Sequence, residues 1–129
     1  MTGAQRPRVL IVDDDERLRR TFARVVGARY EVSVAENGRD AVALLEKESF
    51  DAVLTDLEMP ELGGDGLVTW LEQNRPALAR RAIVVTGGAK RAEQAAWLAA
   101  FDQRRVVKKP CIVEEVLSAI EGVLAGASS

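Results

Sequence analysis

Three short aliphatic runs, VLIV at 9–12, AVLT at 52–55 and AIVV at 82–85, each stop at a polar residue: Asp13, Asp56 and Thr86. Runs this short, rich in β-branched residues and lacking polar alternation, suit strands covered on both faces; a helix would need more residues to persist. The chain is thereby restricted to a sheet sandwiched between two other layers.

The intervening stretches supply those layers. Leu18, Phe22 and Val25 recur at helical spacing while Arg17, Arg19, Arg20 and Arg24 point elsewhere, so an amphipathic helix is expected to end near Gly27. Asp15 and Glu16 suit its first turn. Residues 30–34 read as a second strand, and Asn37 with Gly38 opens a helix with Ala41, Leu44 and Leu45 inward. After Asp56, the residues Pro60, Gly63, Gly64 and Gly66 force a sharp turn. Leu67, Val68 and Leu71 then face a helix inward, which Asn74, Arg75 and Pro76 close. A helix over about 90–101 carries Ala96, Leu98 and Phe101 among its apolar positions. Val106 and Val107 make a brief fifth strand before Lys108, Lys109 and Pro110, and Ile112, Val113, Val116, Leu117, Ile120 and Leu124 stripe a last helix. Five strands alternating with five helices predict an α/β fold, a parallel sheet with helices on both faces and right-handed crossovers.

Length and composition narrow the function. At 129 residues the chain is one ordinary domain, expected over 8–125, with a disordered lead-in at 1–7 and a tail at 126–129. A net charge of -2 gives no basic field for nucleic acid, so none is expected as a partner. Cys111 is the single cysteine and there is no histidine, so neither an internal disulfide nor the usual zinc ligand sets can be assembled. A reducing, cytoplasmic setting is expected. No stretch approaches the roughly 20 apolar residues of a membrane span, and no membrane partner is expected.

In a parallel sheet the residues just after the strands gather at one edge. Asp13 and Asp14 follow the first strand, Asp56 the third, Thr86 the fourth and Lys109 the fifth. If the first, third and fourth strands are neighbours, three carboxylates share a small volume with one hydroxyl and one ammonium. Taken singly, the pieces have plainer readings: acids cap helices, threonine favours strands and lysine favours solvated loops. Together, three close carboxylates require a counter-charge, and an oxygen-only donor set suits Mg²⁺. Asp56 can then act as a nucleophile toward phosphorus, with the metal and Lys109 stabilising the equatorial oxygens.

The segments VLIVDDD, TDLEMPELGGDG, VVTGG and KKP, in this order, resemble those of the response-regulator receiver domain of two-component signalling, and the resemblance spans essentially the whole chain. It implies a flavodoxin-like (βα)5 fold with strand order 2-1-3-4-5. It implies that Asp56 is the phosphoacceptor for a sensor histidine kinase or phosphotransfer protein. By position, Asp14 resembles the direct carboxylate ligand of Mg²⁺ together with Asp56 and the backbone carbonyl of Glu58, and Asp13 the acid that holds the metal's waters. Thr86 is similar to the switch hydroxyl, Gly87 to the small residue beside it, Lys109 to its ion-pair partner, and Pro110 to a proline often in cis linkage.

The departures carry their own expectations. Val106 stands where the family often has Tyr or Phe, and Cys111 replaces a common Phe as a small hydrophobe. Glu58 adds a carboxylate beside the acceptor and is expected to alter the rate of phosphate loss. The last helix holds Glu114, Glu115 and Glu121 with no Lys or Arg, which disfavours the salt-bridged dimer of the winged-helix branch. The TGG segment and non-aromatic fifth strand are similar to receivers attached to hybrid histidine kinases. A Mg²⁺-dependent phosphohydrolase would want a second acid, for which Glu58 is the only candidate, and no cap is evident. A receiver that binds partners without phosphorylation is disfavoured by the completeness of the site. The expectation is therefore a switch with an unknown downstream protein, not an enzyme.

Overall fold

The structure, a computed structural model, describes residues 6–126. Most of the expected lead-in and tail, at 1–5 and 127–129, lies outside the described residues. Five parallel strands, β1 (Arg8–Val12), β2 (Glu31–Ala35), β3 (Ala52–Asp56), β4 (Ala82–Thr86) and β5 (Val106–Lys108), pair in the order β2-β1-β3-β4-β5. This is the flavodoxin-like order expected above. Six helices connect them: α1 (Glu16–Gly27), α2 (Gly38–Lys47), α3 (Gly64–Asn74), α4 (Pro76–Ala79), α5 (Ala92–Ala100) and α6 (Val113–Gly126), with a 3₁₀ turn at Gln103–Arg105.

Strand alternation divides the core in two. Val9 and Ile11 of β1, Leu54 of β3 and Ile83 and Val85 of β4 face Phe22 and Val26 of α1 and Val116 and Ile120 of α6. Leu10, Val12, Val53 and Val84 face the other way, onto Ala41 and Leu45 of α2 and Leu67, Val68 and Leu71 of α3. Each buried Leu or Ile contributes about 1.5–3 kcal/mol. The central strands β3 and β4 are buried throughout. The edge strand β2 leaves Val34 44% exposed, as a strand covered on fewer sides must.

Several expectations need correction. Pro76 does not simply end a helix: it opens the short α4 as its first residue, where its missing N–H is not needed. Ala96 and Ile112 are exposed, and the one fully buried residue of α5 is the polar Gln94. In α1 the buried residues are Phe22 and Val26, with Val25 half-buried. Arg6 and Pro7, expected in the lead-in, are tied to the domain: the Arg6 guanidinium donates to the Gly27 carbonyl, and the Pro7 carbonyl accepts from the Glu31 N–H at 3.0 Å. Gly126, expected in the tail, closes α6.

The chain leaving β3 is packed too tightly for side chains. A Cβ on Gly64 would lie 2.4 Å from the Asp56 carbonyl oxygen and 3.0 Å from the Leu57 Cα, both backbone atoms. Gly64→Ala is expected to cost about 2 kcal/mol or more in chemical denaturation. Gly122→Ala in α6, where a Cβ meets open space, is expected to raise stability by about 0.5–1 kcal/mol. Equal stability of the two variants would refute this account of the turn.

Candidate functional site

Each site residue is delivered by a strand end. Asp13 continues β1, its N–H donating to the Ala35 carbonyl at 3.1 Å. Its side chain accepts from the Asp15 N–H, and Asp15 caps α1 by accepting from the N–H groups of Arg17 and Leu18. The capping role thus falls to Asp15, which leaves Asp13 and Asp14 facing the site edge. From α1 the Arg19 guanidinium reaches back to the Asp13 carbonyl at 2.9 Å, a role that placing Arg19 among the outward arginines did not foresee.

Asp56 is the last residue of β3, 8% exposed. Lys109 is brought opposite by the N–H it donates to the Thr86 carbonyl at 2.8 Å, and its Nζ lies 3.3 Å from Asp56 Oδ2. Asp13, Asp14 and Asp56 each offer a carboxylate oxygen, all within 4.8 Å of one another. Thr86 ends β4, buried, its Oγ1 accepting from the Gly88 N–H at 2.9 Å. Gly88 has a φ of +120°, a conformation that glycine adopts freely. Glu58 is half-buried on the loop after Asp56, and Lys109-Pro110 is a cis peptide bond.

That loop is held from two sides. The Leu62 N–H donates to the Pro60 carbonyl at 2.8 Å around Glu61, whose φ of 70° marks the rarer form of γ-turn. The Leu62 carbonyl in turn accepts from the Gly38 N–H at the start of α2. On the far side Gln94 Nε2 donates to Asp65 Oδ1 at 3.2 Å, while Gln94 Oε1 is buried with no partner among the described residues. Nothing in the sequence reading marked Gln94. Its signal was the stripe it shares with Leu98 and Phe101 at helical spacing.

Burial dominates the electrostatics. It pushes the Asp13 carboxyl up to about 6; the hydrogen bond from Asp15 opposes this, and the charge of Asp56 adds to it. Asp56 is also raised by burial, against the charge and hydrogen bond of Lys109. Three acids with one nearby ammonium form a donor set that a hard cation with oxygen ligands fits.

A doubly wound sheet with acids, a hydroxyl and a lysine at the carboxyl ends of its central strands defines a class of α/β domain whose polar cluster lies at the switch point, where such sheets bind ligands. Within that class the chain matches the family described as Response regulator receiver domain over residues 9–121, and it belongs to that family. Protein PilH of Pseudomonas aeruginosa is 34% identical over 120 residues, covering 92% of this chain and 98% of PilH. A response regulator receiver protein of Anaeromyxobacter sp. (strain Fw109-5) is 44% identical over 80 residues, 61% of this chain. The chain spans only 33% of that protein's length and 11% of the gliding motility regulatory protein of Myxococcus xanthus. Among solved structures, a response regulator receiver domain protein (CheY-like) from Methanospirillum hungatei JF-1 superposes with a TM-score of 0.84 at 28% identity, covering 96% of this chain and 98% of that one. Among the described residues no helix is long and apolar enough to cross a membrane.

The raised Asp13 carboxyl has a consequence for stability. It titrates near 6 when folded against an ordinary 3.8, so the folded chain holds this proton more tightly than the unfolded one. Its contribution is full below about pH 4 and is lost as pH rises through 6. Metal-free Asp13→Asn is expected to be more stable than the native chain by about 2 kcal/mol at pH 7.5, several degrees in Tm, with the gap closing by pH 4. Thermal unfolding in EDTA across that range checks it. A gap independent of pH would place the effect elsewhere.

Proposed function

We propose that this chain is a phosphoacceptor switch. It takes a phosphoryl group on Asp56 from a sensor histidine kinase or phosphotransfer protein, with Mg²⁺, and changes the surface offered to a downstream protein. The observation that carries this reading is the buried Asp56 carboxylate, 3.3 Å from Lys109 Nζ and within 4.8 Å of the Asp13 and Asp14 carboxylates.

An Asp56 oxygen attacks the phosphorus of a phosphohistidine. The new O–P bond forms as the P–N bond breaks, and its electron pair leaves on the imidazole, which takes up a proton from water. The Lys109 ammonium faces the equatorial oxygens as their charge develops. The Thr86 hydroxyl exchanges its contact with the Gly88 N–H for a phosphoryl oxygen, to which it donates. Asp14, Asp56 and the Glu58 backbone carbonyl, with Asp13 beside them, would hold Mg²⁺, which would supply charge neutralisation at the phosphoryl group. Water later hydrolyses the acyl phosphate, returning Asp56. The chain acts on no separate substrate, and in this sense it is a switch and not an enzyme. Its lone thiol, Cys111, fits a reducing cytoplasmic setting.

The output follows from which elements can move. α5, β5 and α6 lie beside Thr86 and Lys109, and α6 carries acids but no basic residue. The phosphorylated site must favour one arrangement of that face over another, or no signal passes.

Intact mass after incubation with Mg²⁺ and acetyl phosphate tests the reading. A gain of one phosphoryl group is expected for the native chain and none for Asp56→Asn, while Lys109→Ala should slow acceptance by about 100-fold. No gain in the native chain would sink the proposal. Glu58→Asn is expected to change the lifetime of the phosphorylated form, read from its decay after removal of acetyl phosphate; an unchanged lifetime would remove Glu58 from the site's chemistry.

A further inference from the structure

The edge of the sheet opposite Asp56 carries a different site. A cleft of about 550 Å³ opens there, lined by Arg80 and Arg81 ahead of β4, Arg104 and Arg105 of the 3₁₀ turn ahead of β5, and the small residues of one side of α6. Its size falls in the range of small-molecule sites, roughly 300–1,000 Å³. Four guanidinium groups meet one carboxylate, Asp102, in a chain whose net charge is -2.

The arginines are not equivalent. Arg105 is fixed: it donates to the Ala79 and Ala82 carbonyls, lies 3.5 Å from Asp102 and covers the Phe101 ring at 4.4 Å. Arg81 is anchored through one nitrogen on the Asp51 carbonyl. Arg104 leans on Asp102 with 90% of its side chain exposed, and the Arg80 guanidinium has no hydrogen bond or ion pair among the described residues. Arg104 holds both carboxylate oxygens of Asp102, through Nε and Nη2 at 3.1 Å each, so of the four only the Arg80 guanidinium is unpaired among the described residues. Guanidinium groups in such number match phosphate, which they bind by paired hydrogen bonds. On the α6 side the lining includes the small residues Ser118, Ala119 and Gly122. At Gly122 a Cβ would meet nothing within 4 Å, so a flat ring can lie against α6 where a larger residue would exclude it.

We propose that this cleft binds a nucleotide-like organic phosphate, the phosphates on Arg80, Arg81 and Arg104 and the ring over Gly122. The proposal is independent of phosphorylation at Asp56, yet the two sites share strands. β4 (Ala82–Thr86) begins just after Arg81 and ends at Thr86, and β5 (Val106–Lys108) lies between Arg105 and Lys109.

Calorimetric titration of the full chain in EDTA and about 150 mM salt, with ATP, GTP and pyrophosphate as probes, tests it. Saturable one-to-one binding of a nucleotide is expected, at least tenfold weaker in the Arg80→Ala/Arg104→Ala double variant. Gly122→Leu, which fills the floor without changing charge, should also weaken nucleotide binding at least tenfold and leave acceptance of phosphate from acetyl phosphate intact. Pyrophosphate binding as tightly as ATP, or unchanged nucleotide binding in Gly122→Leu, would overturn the ring's place on α6. Absence of saturable nucleotide binding to the native chain, or binding that the double variant retains, would overturn the site.

Discussion

The Asp56–Lys109 contact is the interaction on which the polar edge of this fold depends. Asp56 ends a strand buried on both faces, so its carboxylate has lost most of its water, and burial alone would drive it toward the neutral form. A neutral acid is no nucleophile. Lys109 opposes that drive with its charge and hydrogen bond, and it arrives from just beyond another strand, 53 residues away. The site therefore exists only when β5 is docked beside β4 and the Lys109 N–H is seated on the Thr86 carbonyl. Tertiary structure and reactivity are here the same requirement.

The same sheet separates charge along its length. Parallel strands start together and end together, so residues before strands collect at one edge and residues after them at the other. The ends collect Asp13, Asp14 and Asp56, while the starts collect Arg80, Arg81 and Arg105. A strand of five residues spans about 15 Å, beyond the screening length of roughly 8 Å at physiological salt, so the two edges present separate fields to solvent. A net charge near neutrality, -2 over the whole chain, hides this arrangement.

Much of this was legible because burial on both faces leaves a plain signature. The runs at 9–12, 52–55 and 82–85 mark β1, β3 and β4 within a residue, and the polar stops at Asp13, Asp56 and Thr86 mark the site edge. Local signals also served where a single side chain decides the geometry, as Asn37 does by capping α2 through the Asp40 N–H. What was hidden depends on partners distant in sequence. Pro76 reads as a stop until the next turn is seen to begin with it. Ile112 reads as core until its neighbours prove to be solvent. Gln94 reads as surface, because burying an amide is unfavourable unless a partner is supplied, and its partner Asp65 lies on another helix. The arginine cleft was invisible for a further reason: Arg80 with Arg81 and Arg104 with Arg105 form two unremarkable pairs, joined only by the pairing of β4 with β5.

Gln94 also bears on how a switch could work. α5 buries one residue fully, and its carbonyl oxygen has no partner among the described residues, where an unmet buried acceptor costs about 1–3 kcal/mol. Its outer face is a row of exposed alanines, Ala92, Ala95, Ala96, Ala99 and Ala100, and its inner contacts rest on half-buried Trp97 and Leu98. By contrast α1 buries Phe22 and Val26, and α6 buries Val116, Ile120 and Val123. Elements with few buried apolar contacts are the ones that shift at low free-energy cost. α5 follows directly on the loop that carries Thr86 and Gly88, so on the proposed reading a hydroxyl that leaves the Gly88 N–H for a phosphoryl oxygen pulls on the least anchored long helix of the fold. On that reading packing would set the direction of signalling: Asp56 ends a strand buried throughout whereas α5 fully buries a single residue, so a change at the site would be taken up toward α5.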